Sequence, residues 1–343
     1  MVTCNKAASR PNEKRCPEKA GKRRETIASA LQLQPSPFSD PEARALDPAK
    51  FKDPWITAKG EARARVALER LETLWFNTGT LCNLTCKTCY IESSPTNDAL
   101  IYLALAEVEE YLDEAEQLGV REIGFTGGEP FMNRDIVAMV AASLKRGFEV
   151  LVLTNAMRPM WRFKAALQPL ARERLTIRVS LDHHTSEIHE QERGLGSWTK
   201  AIEGLCWLSD NGFRVAVAAR RLPGEDLAEA QAGYARLFTE IGAEVAGGLV
   251  LFPEMEETAD VPEISEHCWD ILGVSPSSPM CSSSRMVVKA KGADRPHVVA
   301  CTLLPYDPQF ALGSALAGAT GPVPLNHPHC ARFCVLGGAS CSS

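Results

Sequence analysis

Cys82-Asn-Leu-Thr-Cys86-Lys-Thr-Cys89-Tyr90 follows the apolar run Leu74-Trp75-Phe76 and places three thiols on one short loop, at offsets of four and three. A structural zinc site closes with four ligands, whereas a catalytic metal centre keeps a position open. Thiolates select zinc, copper(I) or iron–sulfur clusters, and a four-iron cluster offers four ligand positions. Three cysteines therefore leave one iron open to another ligand. The plainer readings of the loop alone are a zinc knuckle closed by a distant ligand, or buried free thiols. The rest of the chain argues against both.

Outward from the loop, short apolar strands alternate with amphipathic helices. Glu72–Asn77 reads as the strand before the thiols, and Gly60–Arg70 as a helix before that strand. Ala104–Leu118 sets Leu105, Val108, Leu112, Ala115 and Leu118 on one helical face. Strands are expected at Glu122–Thr126, Glu149–Leu153, Leu175–Leu181, Val215–Ala219 and Gly248–Phe252. Helices are expected at Ile136–Arg146, Trp161–Arg172 (interrupted near Pro169), Trp198–Asp210 and Asp226–Ile241. Parallel neighbours require a crossover helix, so repeated βα units imply a parallel sheet. Six units predict an α/β fold, a partial (β/α)6 TIM-like barrel, whose chemistry gathers at the C-terminal strand ends. Polar and glycine-rich groups fall at those ends: the three thiols, Gly127-Gly128-Glu129, Asn155, Ser180 with Asp182, and Glu254.

The flanks differ in composition. Residues 1–59 form a basic tail followed by a proline- and aspartate-rich irregular strap, 60–261 the barrel, and 262–343 a small cysteine-rich unit. In the last, Met286–Lys289 and Val298–Cys301 read as paired strands about Gly292. The chain has 343 residues, twelve cysteines and a net charge of -6. The acidic balance argues against a nucleic-acid binder, no apolar run is long enough to cross a membrane, and no h-region follows the basic N-terminus. A cytoplasmic protein is the expectation. Eight cysteines fall in two groups, 82, 86 and 89, then 281, 301, 330, 334 and 341, which favours metal ligation over a disulfide framework.

The cysteine loop after a first strand, with Gly127-Gly-Glu-Pro130 ending the second, resembles the radical S-adenosylmethionine (SAM) enzymes over about residues 70–260. The later cysteines resemble a SPASM or twitch extension. The resemblance implies a [4Fe–4S] cluster on Cys82, Cys86 and Cys89, with the amine and carboxylate of SAM on the fourth iron. Reduction then cleaves SAM, and the resulting 5′-deoxyadenosyl radical takes hydrogen from a peptide or small molecule. By the same resemblance, Gly127 and Gly128 meet the SAM ammonium with Glu129 supplying charge nearby. Ser180, Asp182 and the weaker candidate Asn155 bind ribose or the head group, and Arg193 pairs with the SAM carboxylate. Thr88 stands where many relatives carry an aromatic residue, and Tyr90 is expected to cover the cluster instead. Cys281, Cys301, Cys330 and Cys334 are the first choice for one auxiliary [4Fe–4S] cluster, with Cys341 as a substitute for either of the last two and zinc as the alternative metal. A low-potential donor such as flavodoxin or ferredoxin is the implied partner. His183, His184 and His189 read as surface or hydrogen-bonding residues. The rival from another class is a non-enzymatic iron–sulfur electron carrier or scaffold, which needs the thiols but not the strand-end residues.

Overall fold

Six parallel strands built from the apolar runs set the frame of the chain, in a computed structural model that describes residues 34–170, 172–253 and 256–340. In chain order the strands are β1 (Arg65–Val66), β2 (Thr73–Asn77), β3 (Glu122–Thr126), β4 (Glu149–Thr154), β5 (Leu175–Ser180), β6 (Arg214–Arg220), β7 (Leu249–Phe252), β8 (Ser284–Val288), β9 (His297–Val299) and β10 (Val323–Pro324). The helices are α1 (Leu105–Gln117), α2 (Ile136–Lys145), α3 (Arg158–Trp161), α4 (Lys164–Leu167), α5 (Ser186–Arg193), α6 (Ser197–Asp210), α7 (Leu227–Ile241) and α8 (Cys268–Leu272). Strands β2 to β7 are parallel neighbours in sequence order, as the βα alternation predicts. The mixed α/β fold with a parallel sheet is thus the one expected. Among the described residues no helix is long and apolar enough to cross a membrane.

The main sheet does not stop at β2. Strand β8 pairs with β2 in parallel, and β9 pairs with β8 antiparallel, so eight strands run in the order β7-β6-β5-β4-β3-β2-β8-β9. Both sheet faces are covered, which is why the strands are apolar almost throughout. Leu74 and Phe76 of β2, Val150 and Val152 of β4, and Val287 of β8 point into the core shared with the helices. Trp75, Leu151, Met286 and Val288, one residue out of phase, point into a second core. That second core contains Cys281, Cys301, Cys330 and Cys334. The cysteine-rich segment therefore packs against the inner face of the open sheet. Gly124 makes room for the Trp75 ring, from which a Cβ there would lie 2.3 Å.

Two local expectations are corrected. Residues 60–70 form no helix: β1 pairs antiparallel with β10, and Arg63 is buried with its guanidinium on Glu263 and on the carbonyls of Asp53, Ile56 and Leu325. Long-range pairing overrides the helix preference of an Ala-, Glu- and Arg-rich run. The helix expected over 161–172, with an interruption near Pro169, is instead two short helices, α3 and α4, both of which end before Pro169. The N-terminal tail with Cys4 and Cys16, Glu254 and Cys341 lie outside the described residues.

Candidate active site

At the C-terminal strand ends the chain encloses a cavity of about 110 Å³. Cys82, Cys86, Cys89 and Tyr90 line it from the loop after β2, Gly127 and Gly128 from the turn after β3, and Asn155 from the turn after β4. Ser180 at the end of β5 and Arg193 at the end of α5 complete the set of expected residues on its wall. The wall also holds Arg220 from the end of β6, which sequence reasoning missed. Its signal was available: a charged residue ending a barrel strand, in the same place as the others.

The glycine turn has a stricter purpose than access for a ligand. Gly127 has φ 131°, and a Cβ on it would stand 2.5 Å from the Gly79 carbonyl oxygen. On Gly128 a Cβ would stand 2.3 Å from the Leu81 oxygen. The absence of both side chains lets the amides of Gly128 and Glu129 donate to the carbonyls of Gly79 and Leu81, at 2.9 and 3.2 Å. The turn thereby fixes the backbone that leads into Cys82.

Glu129 does not face the cavity. It is buried, and accepts hydrogen bonds from the Asn155 amide (2.8 Å), Thr154 Oγ1 (2.8 Å) and the Phe131 amide (3.1 Å). Burial pushes its carboxyl up to about 7 despite these donors. It ties the end of β3 to the end of β4 and so orients Asn155. The Asn155 side chain donates to Asn83 Oδ1 at 2.9 Å within the cysteine loop.

Asp182 also lies off the cavity wall. Its carboxylate takes a two-point contact from Arg193, Nε to Oδ2 at 2.6 Å and Nη2 to Oδ1 at 3.0 Å. Arg220 Nε approaches Asp182 Oδ1 at 3.8 Å. Burial alone would raise the Asp182 carboxyl, but the two guanidinium groups hold it well below the usual carboxylate range. Arg193 is thus a fixed cation whose fork is engaged by a protein carboxylate, a geometry that guanidinium groups favour. Beside it, buried Glu192 accepts from the amide and Oγ1 of Thr88, at 2.8 and 2.9 Å, and from Ser36 Oγ at 2.6 Å. Arg220 Nη2 donates to the Thr88 carbonyl at 2.9 Å. Thr88 is therefore the point at which the cysteine loop is fastened to α5 and β6, and through Glu192 to Ser36 of the N-terminal strap.

Burial pushes the thiols of Cys82 and Cys86 up to about 11 and about 12, with Arg193 acting in the opposite direction. Thiols in such a place ionise when a metal takes the proton's place. Three soft donors on one wall fit an iron–sulfur cluster that has a non-cysteine position. A second thiol group, Cys281, Cys301, Cys330 and Cys334, lines one small cavity of about 10 Å³ with Leu303, Phe310 and His329. Cys330 and Cys334 are one turn apart in a π-helical stretch, Cys330–Leu336. Burial and the neighbouring Cys301 and Cys281 push the Cys330 thiol well up. This donor set also fits a soft metal centre. Of the histidines read as surface or hydrogen-bonding residues, His183 and His189 are both buried: the Thr185 amide donates to His183 Nδ1 at 3.1 Å, and His189 packs against Trp198.

The family model "Radical SAM superfamily" matches residues 76–232. The antilisterial bacteriocin subtilosin biosynthesis protein AlbA of Bacillus subtilis (strain 168) is 33% identical over 138 residues, 40% of this chain and 30% of that protein. The mycofactocin maturase MftC of Mycolicibacterium smegmatis is 30% identical over 158 residues, 45% of this chain and 39% of that protein. The matched stretches thus span less than half of these relatives. Among solved structures, Streptococcus suis SuiB bound to its precursor peptide SuiA superposes with a TM-score of 0.56 at 14% identity, covering 74% of this chain and 66% of that one.

Proposed function

We propose that this chain, which carries a radical SAM domain over residues 76–232, is an enzyme that holds a [4Fe–4S] cluster and SAM in the strand-end cavity. The observation that carries the reading is the convergence of Cys82, Cys86, Cys89, Gly127, Gly128, Ser180 and Arg193 on one wall. The three thiolates would take three irons and leave the fourth to the amine and carboxylate of SAM. When bound, this pair supplies one-electron cleavage of SAM and a 5′-deoxyadenosyl radical that abstracts hydrogen.

The chain's own residues hold and shield that chemistry. Glu129, Asn155 and the glycine turn fix the entry to the cysteine loop, and Glu192 fixes its far end through Thr88. Arg193 and Arg220 place positive charge on the wall where a substrate carboxylate and a cluster bearing thiolates would lie, and Asp182 keeps Arg193 in position. Tyr90 lines the cavity from the loop itself and would cover the cluster there. Exclusion of water by this part-buried wall would protect the cluster and set its potential. A low-potential donor such as flavodoxin or ferredoxin would supply the electron.

The substrate class we favour is a peptide, since AlbA is named for bacteriocin biosynthesis and MftC as a maturase. A small molecule is the alternative substrate. We divide the chain into an N-terminal strap, a barrel over 60–261 and an auxiliary metal segment from 262. Cys281, Cys301, Cys330 and Cys334 would hold an auxiliary [4Fe–4S] cluster serving substrate binding or oxidation. The small volume of that cavity favours a second reading for this site alone, one zinc on four thiolates. Equilibrium dialysis of the anaerobically reconstituted protein against SAM tests the main reading: saturable binding that is lost in Cys86→Ala supports it. Full iron loading without SAM binding would leave an iron–sulfur carrier.

A further inference from the structure

We infer that the hydroxyl of Ser93 donates a hydrogen bond to a sulfur of the cluster on the three-thiol loop, and so raises the reduction potential of that cluster. The inference rests on the cluster and SAM site proposed above. Ser93 lines the strand-end cavity from the segment that follows Cys89. It is 4% exposed, and its Oγ is buried without a hydrogen-bond partner among the described residues. Thr154, Asn155, Arg193 and Arg220, on the same wall, each bond to a protein group.

The backbone places Ser93 between two of the thiol-bearing residues. Its amide donates to Cys89 Sγ at 3.4 Å. The carbonyl of the next residue, Ser94, accepts from the Cys82 amide at 3.0 Å. The chain reaches this place through a tight turn, in which the Glu92 amide donates to the Cys89 carbonyl at 2.9 Å. Glu92 has φ 48°, a region that residues other than glycine use sparsely. The turn is held from outside, where Asn97 Nδ2 donates to the Glu92 carbonyl at 3.0 Å and the Tyr306 hydroxyl to the Ile91 carbonyl at 2.8 Å. A costly backbone conformation that its surroundings enforce points to a function for what it presents. Here it presents Ser93 to the cavity.

A hydroxyl carries one donor and two acceptor positions, and a buried one left unpaired costs its desolvation. With no partner in the protein, the partner of Ser93 belongs to what fills the cavity. Sulfur is the acceptor closest to hand. The Leu84 amide donates to Cys82 Sγ at 3.4 Å, and Asn155 Nδ2 approaches the same sulfur at 4.0 Å. Donors to thiolate and sulfide stabilise the reduced, more negative state of a cluster, which raises its potential. An ordered water is the plainer partner for the hydroxyl, and SAM is the other. The two tied residues, Cys89 and Cys82, favour the cluster.

The parent protein, Ser93→Ala and Ser93→Thr are reconstituted anaerobically, and iron per chain and SAM affinity are measured. The midpoint potential is then followed by electron paramagnetic resonance before SAM is added, on the cluster whose signal responds to SAM. Ser93→Ala should move that potential to a more negative value at unchanged iron and SAM affinity, and Ser93→Thr should restore it toward the parent. An unmoved potential in Ser93→Ala would overturn the assignment. Weaker SAM binding at an unmoved potential would also overturn it, by giving the hydroxyl to SAM. A parent with no SAM-responsive signal removes the proposed site together with this assignment, whereas a responsive parent and an unmoved variant remove the assignment alone. If Ser93→Ala loses iron, Ser93→Thr and Ser93→Val, nearly equal in shape, give the same comparison: the lower potential should belong to Ser93→Val, and equal potentials overturn the assignment.

Discussion

At the scale of single residues, the acids at the strand ends act mainly on the protein. Glu129 spends its oxygens on Asn155, Thr154 and Phe131, and Glu192 spends its oxygens on Thr88 and Ser36. Glu129→Gln would turn an amide donor toward the Asn155 N–H, at a cost of about 1–3 kcal/mol. The expected result is a lower melting temperature and less iron at the cysteine loop, with the metal content of the C-terminal thiols unchanged. Glu192→Ala should do the same through Thr88, read by iron per chain. Protonation of His189 should also weaken the fold. His189 is held down to about 3 by burial, with Arg193 adding to the effect, below its ordinary value of 6.5. Its contribution is complete above about pH 6.5 and falls as the pH drops toward 3, by at most about 1.4 kcal/mol per pH unit. Glu129, raised to about 7, has the opposite sign, and its contribution fades between its ordinary 4.5 and 7. Melting temperatures of His189→Phe and the parent, compared from pH 7.5 to 5.5, should diverge below pH 6.5, the parent falling relative to the variant because only the parent loses the His189 contribution. The thiols and Ser180 were legible because residue type and strand-end position coincide, and Arg193 through the family resemblance. The partners of Arg193, Thr88 and Glu129 were not, because each is fixed by a contact between distant segments.

Among the elements, β2 is the strand on which the two cores meet. Leu74 and Phe76 enter one and Trp75 the other. Trp75→Ala should cost roughly 3–5 kcal/mol, measured by denaturant unfolding. Gly128→Ala tests the turn: its Cβ would meet backbone oxygen at 2.3 Å, so the cysteine loop must shift. Loss of cluster binding in a protein that still folds is the expected outcome. The six βα units could be read from the sequence because crossover helices and apolar runs repeat locally. The pairing of β8 with β2 could not, since both faces of these strands are apolar and their separation in the chain carries no signal. The same reason explains the missed β1–β10 pair, where an apparent helix former was captured by a distant strand.

For the whole molecule, the sheet and the inner core run across residue 262, so the cysteine-rich segment and the barrel share their packing. Cutting the chain at 262 would expose Trp75, Leu151 and the rest of the inner face, and the truncated protein should aggregate or lose cooperative unfolding. The metal inventory separates the two readings of the auxiliary site: two four-iron clusters give about eight irons per chain, and one cluster with zinc gives about four irons. The central claim is that the three-thiol loop and its cavity cleave SAM. It is tested most directly by incubating the anaerobically reconstituted protein with SAM and a low-potential reductant and measuring 5′-deoxyadenosine. The account predicts 5′-deoxyadenosine and methionine from the parent protein and none from Cys86→Ala. Full iron and sulfide in the parent, with no more 5′-deoxyadenosine than Cys86→Ala produces, would contradict it.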